Sequence, residues 1–149
     1  MRDEETLSEA FWAVARRLQH HTKVALEPWD LSPSLARAMS VLARHGDQRL
    51  SVLADHLRIA ARTATEVVDD LQRRGLAERR PDPDDRRAVL VTLTPQGVAT
   101  SRAIQAARQA EGERFFGELS EQDRGELVRL LGMLRAGPGA DPAPRHNGA

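Results

Sequence analysis

No cysteine occurs in the sequence, so disulfides, thiolate metal sites and a cysteine redox switch are excluded. No apolar run approaches the roughly 20 residues that cross a bilayer. The first residues, Met1-Arg-Asp-Glu-Glu5, are acidic where a signal peptide is basic, and a cytoplasmic location without membrane contact is expected. Net charge is absent as well: 22 basic residues balance 22 acidic ones, so the basic excess that marks many nucleic-acid binders is missing. Lys23 is the only lysine, and almost all positive charge is arginine. The planar arginine fork suits phosphate and guanine edges, although a GC-rich genome produces the same bias. Of the five histidines, 20, 21, 45, 56 and 146, one stands beside an acid, in Asp55-His56. Adjacent side chains on a helix do not face each other. His20-His21 lacks the downstream histidine that a zinc site needs. No enzyme activity, metal or cofactor is therefore expected.

What is present is a series of local signals without an internal repeat. At 149 residues the chain fits one domain, or one lobe set in a helical frame, with a moderate core. Leu7, Phe11, Val14 and Leu18 recur every three or four positions and predict an amphipathic helix to about Val24. Glu27-Pro28-Trp29-Asp30 breaks it with a loop. Ser32-Pro33 then supplies a cap and a first-turn proline for a second helix to Arg44, stopped by Gly46. Arg49-Leu50-Ser51 predicts a brief strand, with Ser51 capping a third helix through Leu57. A fourth runs from about Arg62 to Arg74, with Gly75 just past its end. Residues 76 to 94 read as two short strands joined by a loop that carries Asp84, Asp85, Arg86 and Arg87. Thr94-Pro95 opens a long helix to roughly Leu119, striped by Ile104, Ala107, Phe115 and Leu119. Ser120 with Asp123 starts a last one, striped by Leu127, Leu130, Leu131 and Leu134. Gly137 to Ala149, with three prolines, is expected to be a disordered tail.

Two helices joined by a tight turn and followed by a hairpin with guanidinium groups at its tip have the order of a winged helix-turn-helix. In that unit one helix enters the major groove and the hairpin reaches a neighbouring groove. The expected fold is mainly α with a small β-hairpin, a winged helix-turn-helix embedded in a helical dimerisation domain. Residues 1–46 are the N-terminal helices, 47–94 the DNA-binding lobe, 95–136 the C-terminal helices and 137–149 the tail. The first helix and the last two carry stripes that the central unit alone cannot cover. Dimerisation buries them, and so does packing of the three on one another within a monomer.

Residues 49 to 87 hold nine arginines against eight acids, so affinity for DNA must come from placement. Leu53, Ala54, Leu57, Ile59, Ala64, Val67 and Val68 fit the inner faces of the two helices. Arg58 occupies the turn position where glycine is easiest, at roughly 1 kcal/mol if it is left-handed. On the fourth helix Arg62 suits a guanine, Thr63 and Thr65 a phosphate or a thymine methyl, and Glu66 a cytosine amino group. Glu66, Asp69 and Asp70 also repel phosphate, which either sharpens specificity or opposes deep insertion. Ser51 joins this DNA-facing set. In the hairpin, Arg79 and Arg80 suit phosphates and Arg86 and Arg87 the minor groove, while Asp85 is read as pinning the Arg87 side chain. A solvated helix face and an ordinary charged hairpin tip would carry similar residues, and the helix-turn-helix order is what separates the readings.

Asp85-Arg86-Arg87, then Leu90-Val-Thr-Leu-Thr94 and Gly97, resemble the wing of the MarR family of bacterial transcriptional regulators. Leu57-Arg-Ile59, Thr63-Ala-Thr65, Val68-Asp69, Leu71 and Arg74-Gly75-Leu76 are similar to its recognition helix and exit. The likeness covers about residues 5 to 136. It departs at Arg58 for the common glycine, at Ala60-Ala61 for a frequent Ser-Pro, and at Glu66 and Asp70 where basic residues are often found. The resemblance implies a triangular homodimer built on the N- and C-terminal helices, with two winged lobes on a pseudo-palindromic double-stranded DNA operator. It also implies a small, often aromatic or anionic effector in the cleft between interface and lobe, for which Trp12, His20, His21, Trp29, Arg37 and Met39 are the candidates. The rival from another class is a winged-helix protein-interaction module that has lost DNA binding, since the lobe is nearly neutral.

Overall fold

The structure is a computed structural model that describes residues 5–137. Past Gly137 the expected tail lies outside the described residues, as does His146. Two compact units divide the chain, one through Gly112 and one from Glu113.

The first unit opens with α1, Leu7–Leu26. Thr6 and Glu9 cap it reciprocally: the Thr6 hydroxyl accepts the Glu9 N–H at 3.2 Å and the Glu9 carboxylate accepts the Thr6 N–H at 2.7 Å. Glu27–Trp29, read from sequence as a loop, is a 3-10 turn that ends on left-handed Asp30 (φ 49°). Helix α2, Pro33–His45, starts as expected, its Leu35 N–H donating to the Ser32 hydroxyl at 3.3 Å. Strand β1 is only Gln48–Arg49, and α3 is Leu50–Leu57. Ser51 therefore does not cap α3. The capping position falls to Arg49, which makes no side-chain cap, and Ser51 lies exposed in the first turn.

Helix α4, Ala61–Arg73, leaves through a Schellman motif on Gly75 (φ 72°): the Leu76 N–H donates to the Leu71 carbonyl at 2.9 Å and the Gly75 N–H to the Gln72 carbonyl at 3.0 Å. Strands β2, Ala77–Pro81, and β3, Val89–Leu93, form the hairpin, and β1 adds to the free edge of β3, giving the antiparallel order β1-β3-β2. The register pairs Arg79 with Val91, and on the other edge Gln48 also with Val91. Helix α5, Pro95–Phe116, begins against the exit of α4. Thr94 donates its N–H to the Leu76 carbonyl at 3.1 Å and its hydroxyl to the Gly75 carbonyl at 2.6 Å, while the same hydroxyl accepts the Gly97 N–H at 3.0 Å.

Leu35, Ala38, Met39 and Leu42 of α2 pack with Leu53 and Leu57 of α3, Val68 and Leu71 of α4, and Val91 of β3 in one apolar core. A satellite of Leu26, Ala36 and Ile104 joins α1, α2 and α5, with Trp29 and Leu31 against it. The second unit holds the end of α5 and α6, Glu121–Ala136, whose Ser120 hydroxyl accepts the Asp123 N–H at 3.1 Å as expected. Helix α5 stops at Phe116, three residues short of the Leu119 expected, where Gly117 ends the run.

The apolar stripes at both ends of the chain stay open to solvent. Leu7 is 86% exposed and Trp12 59% on α1, and Val128 is 71% and Leu134 74% on α6. Among the described residues no helix is long and apolar enough to cross a membrane, and no cluster of three or more histidine or acidic side chains is placed to hold a metal ion.

Candidate nucleic-acid interface

Helices α3 and α4 cross on small and branched side chains. Leu53, Ala54 and Leu57 meet Ala64, Val67, Val68 and Leu71, all buried. Arg58 makes the turn in the left-handed region (φ 54°, ψ 47°). Its N–H donates to the Asp55 carbonyl at 3.1 Å and that of Ile59 to the Ala54 carbonyl at 3.1 Å. Arg58→Gly should relieve the Cβ strain at some cost in chain entropy, raising stability by a net of about 0.5 kcal/mol. An unchanged or lowered urea midpoint would show that the turn is not strained.

The outer face of α4 starts with Arg62, whose side chain is 92% exposed and sits 3.8 Å from Glu66, a loose i,i+4 pair. Thr63 is exposed. Thr65 turns its hydroxyl back to the Ala61 carbonyl at 3.1 Å, so its donor is used within the helix and its lone pairs and methyl remain. The C-terminal half of the face is occupied by the wing: Arg79 of β2 donates to the Asp69 carboxylate at 2.7 Å and to the Gln72 side-chain oxygen at 2.6 Å. Arg79, read from sequence as a phosphate contact, is thus held against the recognition helix. Arg80 pairs along its own strand with Glu78 at 2.6 Å. The acids that looked opposed to DNA binding are in part internal partners, Asp69 for Arg79 and Asp70 for Arg74 at 3.1 Å.

At the wing tip the expected pinning of the Arg87 side chain is corrected. Asp85 Oδ1 accepts the backbone N–H of Arg87 at 3.0 Å, a closed Asx turn, so the carboxylate shapes the loop and leaves the guanidinium alone. Asp82 does the same one step earlier for the Asp84 N–H at 2.9 Å, while its other oxygen takes Nε and Nη2 of Arg49 at 2.9 and 2.8 Å. The Asp84 N–H, then Arg49, hold the Asp82 carboxyl below the usual carboxylate range against the opposing effect of burial. This contribution to stability is full above the ordinary carboxylate pKa and is lost only as pH falls through the depressed one. Sequence reasoning missed both Asp82 and Arg49, because 33 residues separate them and no periodicity links them. Among the described residues, Arg58, Arg86 and Arg87 are the arginines of this lobe whose guanidinium groups make no hydrogen bond or ion pair.

A cleft of about 900 Å³ lies within the first unit, and its lining differs from the expected effector set. Its basic groups are Lys23, Arg74 and Arg108, and Glu27 and Asp30 share the wall. Met39 is in the lobe core at 1% exposure, where the α2 stripe buries it. Arg37 donates to the Leu57 carbonyl at 3.3 Å, closing the end of α3. Trp29 packs on the satellite cluster. Trp12 stands exposed, edge-on to Phe11 with centroids 5.9 Å apart. His20 is exposed, and His21 Nδ1 lies 3.5 Å from Glu111. None of these six lines the cleft.

Known proteins resemble this arrangement. A model of the MarR family matches residues 31–89, from the approach to α2 through the start of β3. An HTH-type transcriptional regulator of Mycobacterium leprae is 31% identical over 103 residues, 69% of each chain. The HTH-type transcriptional regulator MhqR of Bacillus subtilis is 28% identical over 116 residues, 78% of this chain and 80% of its own. The structure of Bordetella bronchiseptica BpsR, a protein whose DNA binding is regulated by 6-hydroxynicotinic acid, aligns with a TM-score of 0.70 at 24% identity, over 91% of this chain and 96% of its own. With its helix-turn-helix and the first strand and tip of its wing inside the matched segment, and regulators alike along most of their length, the chain belongs to the MarR family and is a transcriptional regulator.

Proposed function

We propose that the protein is a homodimeric, ligand-responsive repressor that grips a pseudo-palindromic operator with two winged lobes. The observation that carries the DNA reading is the division of the arginines: most are spent on internal acids, whereas Arg86 and Arg87 at the wing tip and Arg58 at the turn are free. Arg62, Thr63, Thr65 and Glu66 on the N-terminal half of α4 read bases, with Ser51 at the start of α3 and Arg80 near phosphates. Arg79 acts from β2 by bracing the recognition helix, and Asp85 shapes the tip. Open apolar stripes on α1 and α6 support the dimer, since a lone chain would leave them in water.

An anionic effector fits the basic side of the cleft. Arg74 links that cleft to α4, because it stands at the helix's C-cap, pairs with Asp70 and donates to the Asp30 carbonyl at 2.8 Å. An anion that draws Arg74 away would release this tie at the end of the recognition helix.

The test is a pair of variants on an operator selected from genomic fragments. Arg87→Ala should weaken binding to all sequences by roughly 1–3 kcal/mol and flatten the salt slope by about one unit. Arg62→Ala should relax preference at one position in each half-site and leave non-specific affinity near the wild type. Footprints confined to one half-site would refute the two-lobed reading. Absence of salt-dependent affinity for any duplex would mean that the lobe no longer binds DNA.

A further inference from the structure

We propose that the Arg49–Asp82 ion pair is the clamp that aims the wing, making Asp82 a positioning residue that acts through the tip arginines. Asp82 lies just beyond β2 and is 6% exposed, an unusual place for a carboxylate on a surface hairpin. Each of its polar groups ties a different part of the structure. Its N–H donates to the Ala88 carbonyl at 3.1 Å and closes the base of the loop. Oδ1 accepts the Asp84 N–H and sets the first turn of the tip. Oδ2 accepts the Nε–H of Arg49 at 2.9 Å and ion-pairs with its Nη2 at 2.8 Å, and Arg49 lies outside the hairpin.

Arg49 is the other half of the argument. It ends β1 and occupies the capping position of α3, so its backbone is fixed to the helix-turn-helix. Strand β1 joins the hairpin through only two residue pairs, Gln48 with Val91 and Arg49 with Leu90. An isolated two-stranded hairpin is marginal in water, and two pairs are a weak constraint on its direction. A charge-assisted hydrogen bond from Nε–H, with Nη2 held against the same oxygen, adds a short and directional tie. Only the carboxylate is buried, the Arg49 side chain being 46% exposed, so the pair adds little net stability and its main effect is on geometry. Arg79 holds the middle of β2 to α4, and Arg49 holds the start of the tip. Between them they set where Arg86 and Arg87 point.

The inference rests on the DNA-binding reading of the wing, and a double-mutant cycle on the full chain separates the two. Affinity for a mixed-sequence duplex of about three helical turns is measured across salt concentrations for Arg87→Ala, Asp82→Asn and the double variant. Arg87→Ala should weaken binding about tenfold. Asp82→Asn removes a negative charge, which on charge alone would tighten binding, and should instead weaken it by a similar factor. In the double variant Arg87→Ala should add less than about twofold, because an unaimed arginine has little left to lose. Arg49→Gln should reproduce the same coupling from the partner side, which keeps the test open if Asp82→Asn folds poorly by circular dichroism. If Arg87→Ala still costs its full factor in both backgrounds, the clamp proposal is wrong while the wing reading stands. If Arg87→Ala costs nothing in the otherwise native chain, the wing reading falls and the clamp with it.

Discussion

Gly97→Ala is expected to destabilise the lobe by about 1–3 kcal/mol. On propensity alone the change should help, since alanine is favoured over glycine in a helix by about 1 kcal/mol. The site reverses the sign. A Cβ on Gly97 would stand 1.9 Å from the carbonyl oxygen of Leu76 and 2.9 Å from its carbon, and backbone cannot swing aside as a side chain can. The same carbonyl accepts the Thr94 N–H, so relief requires moving the start of α5 away from the end of α4 and breaking the cap on both sides. Gly125→Ala is the matched control: nothing lies within 4 Å of its Cβ position, and it should gain close to the propensity difference. Urea midpoints by circular dichroism check both. Equal midpoints for Gly97→Ala and the wild type would mean that α5 does not approach Leu76 this closely.

Leu130→Asp should convert the protein from two chains to one, or unfold it, at micromolar concentration. Leu130 is 43% exposed in the single chain, and a surface leucine that stays on the surface can become aspartate at little cost. If α6 instead forms the dimer interface proposed above, the carboxylate enters an apolar contact without a partner on both sides of the two-fold axis, at a cost of several kcal/mol. Light scattering reads the mass directly. A variant with unchanged mass and unchanged melting would remove α6 from the interface and leave its stripe unexplained.

Sequence was a good guide wherever the physics is local. Ser32, Ser120 and Gly75 sit where their cap and turn chemistry puts them, and Arg58 is left-handed because the turn demands it. Thr6 with Glu9 had the capping-box spacing and was legible, though only the structure brought it forward. Asp85 was misread by choosing the longer reach: two residues apart, a carboxylate finds a backbone N–H sooner than it finds a guanidinium. Met39 was assigned to a cleft although Leu35, Ala38 and Leu42 mark its face of α2 as the buried one. The lining of the cleft in the first unit, and the links from Arg49 to Asp82 and from Arg79 to Asp69, depend on which faces meet in three dimensions. No spacing along one helix contains that information.

The internal pairing of the lobe's arginines bears on how the protein divides itself between its target and the rest of the chromosome. Attraction to arbitrary DNA is almost wholly a matter of charge, and a genome offers around a million or more competing sites. Each carboxylate that occupies an arginine lowers the pull of those sites, whereas base-edge contacts at a true operator keep their full value. A lobe that is almost neutral therefore wastes fewer copies on random sequence. Modest amounts of protein can then suffice to fill a specific site.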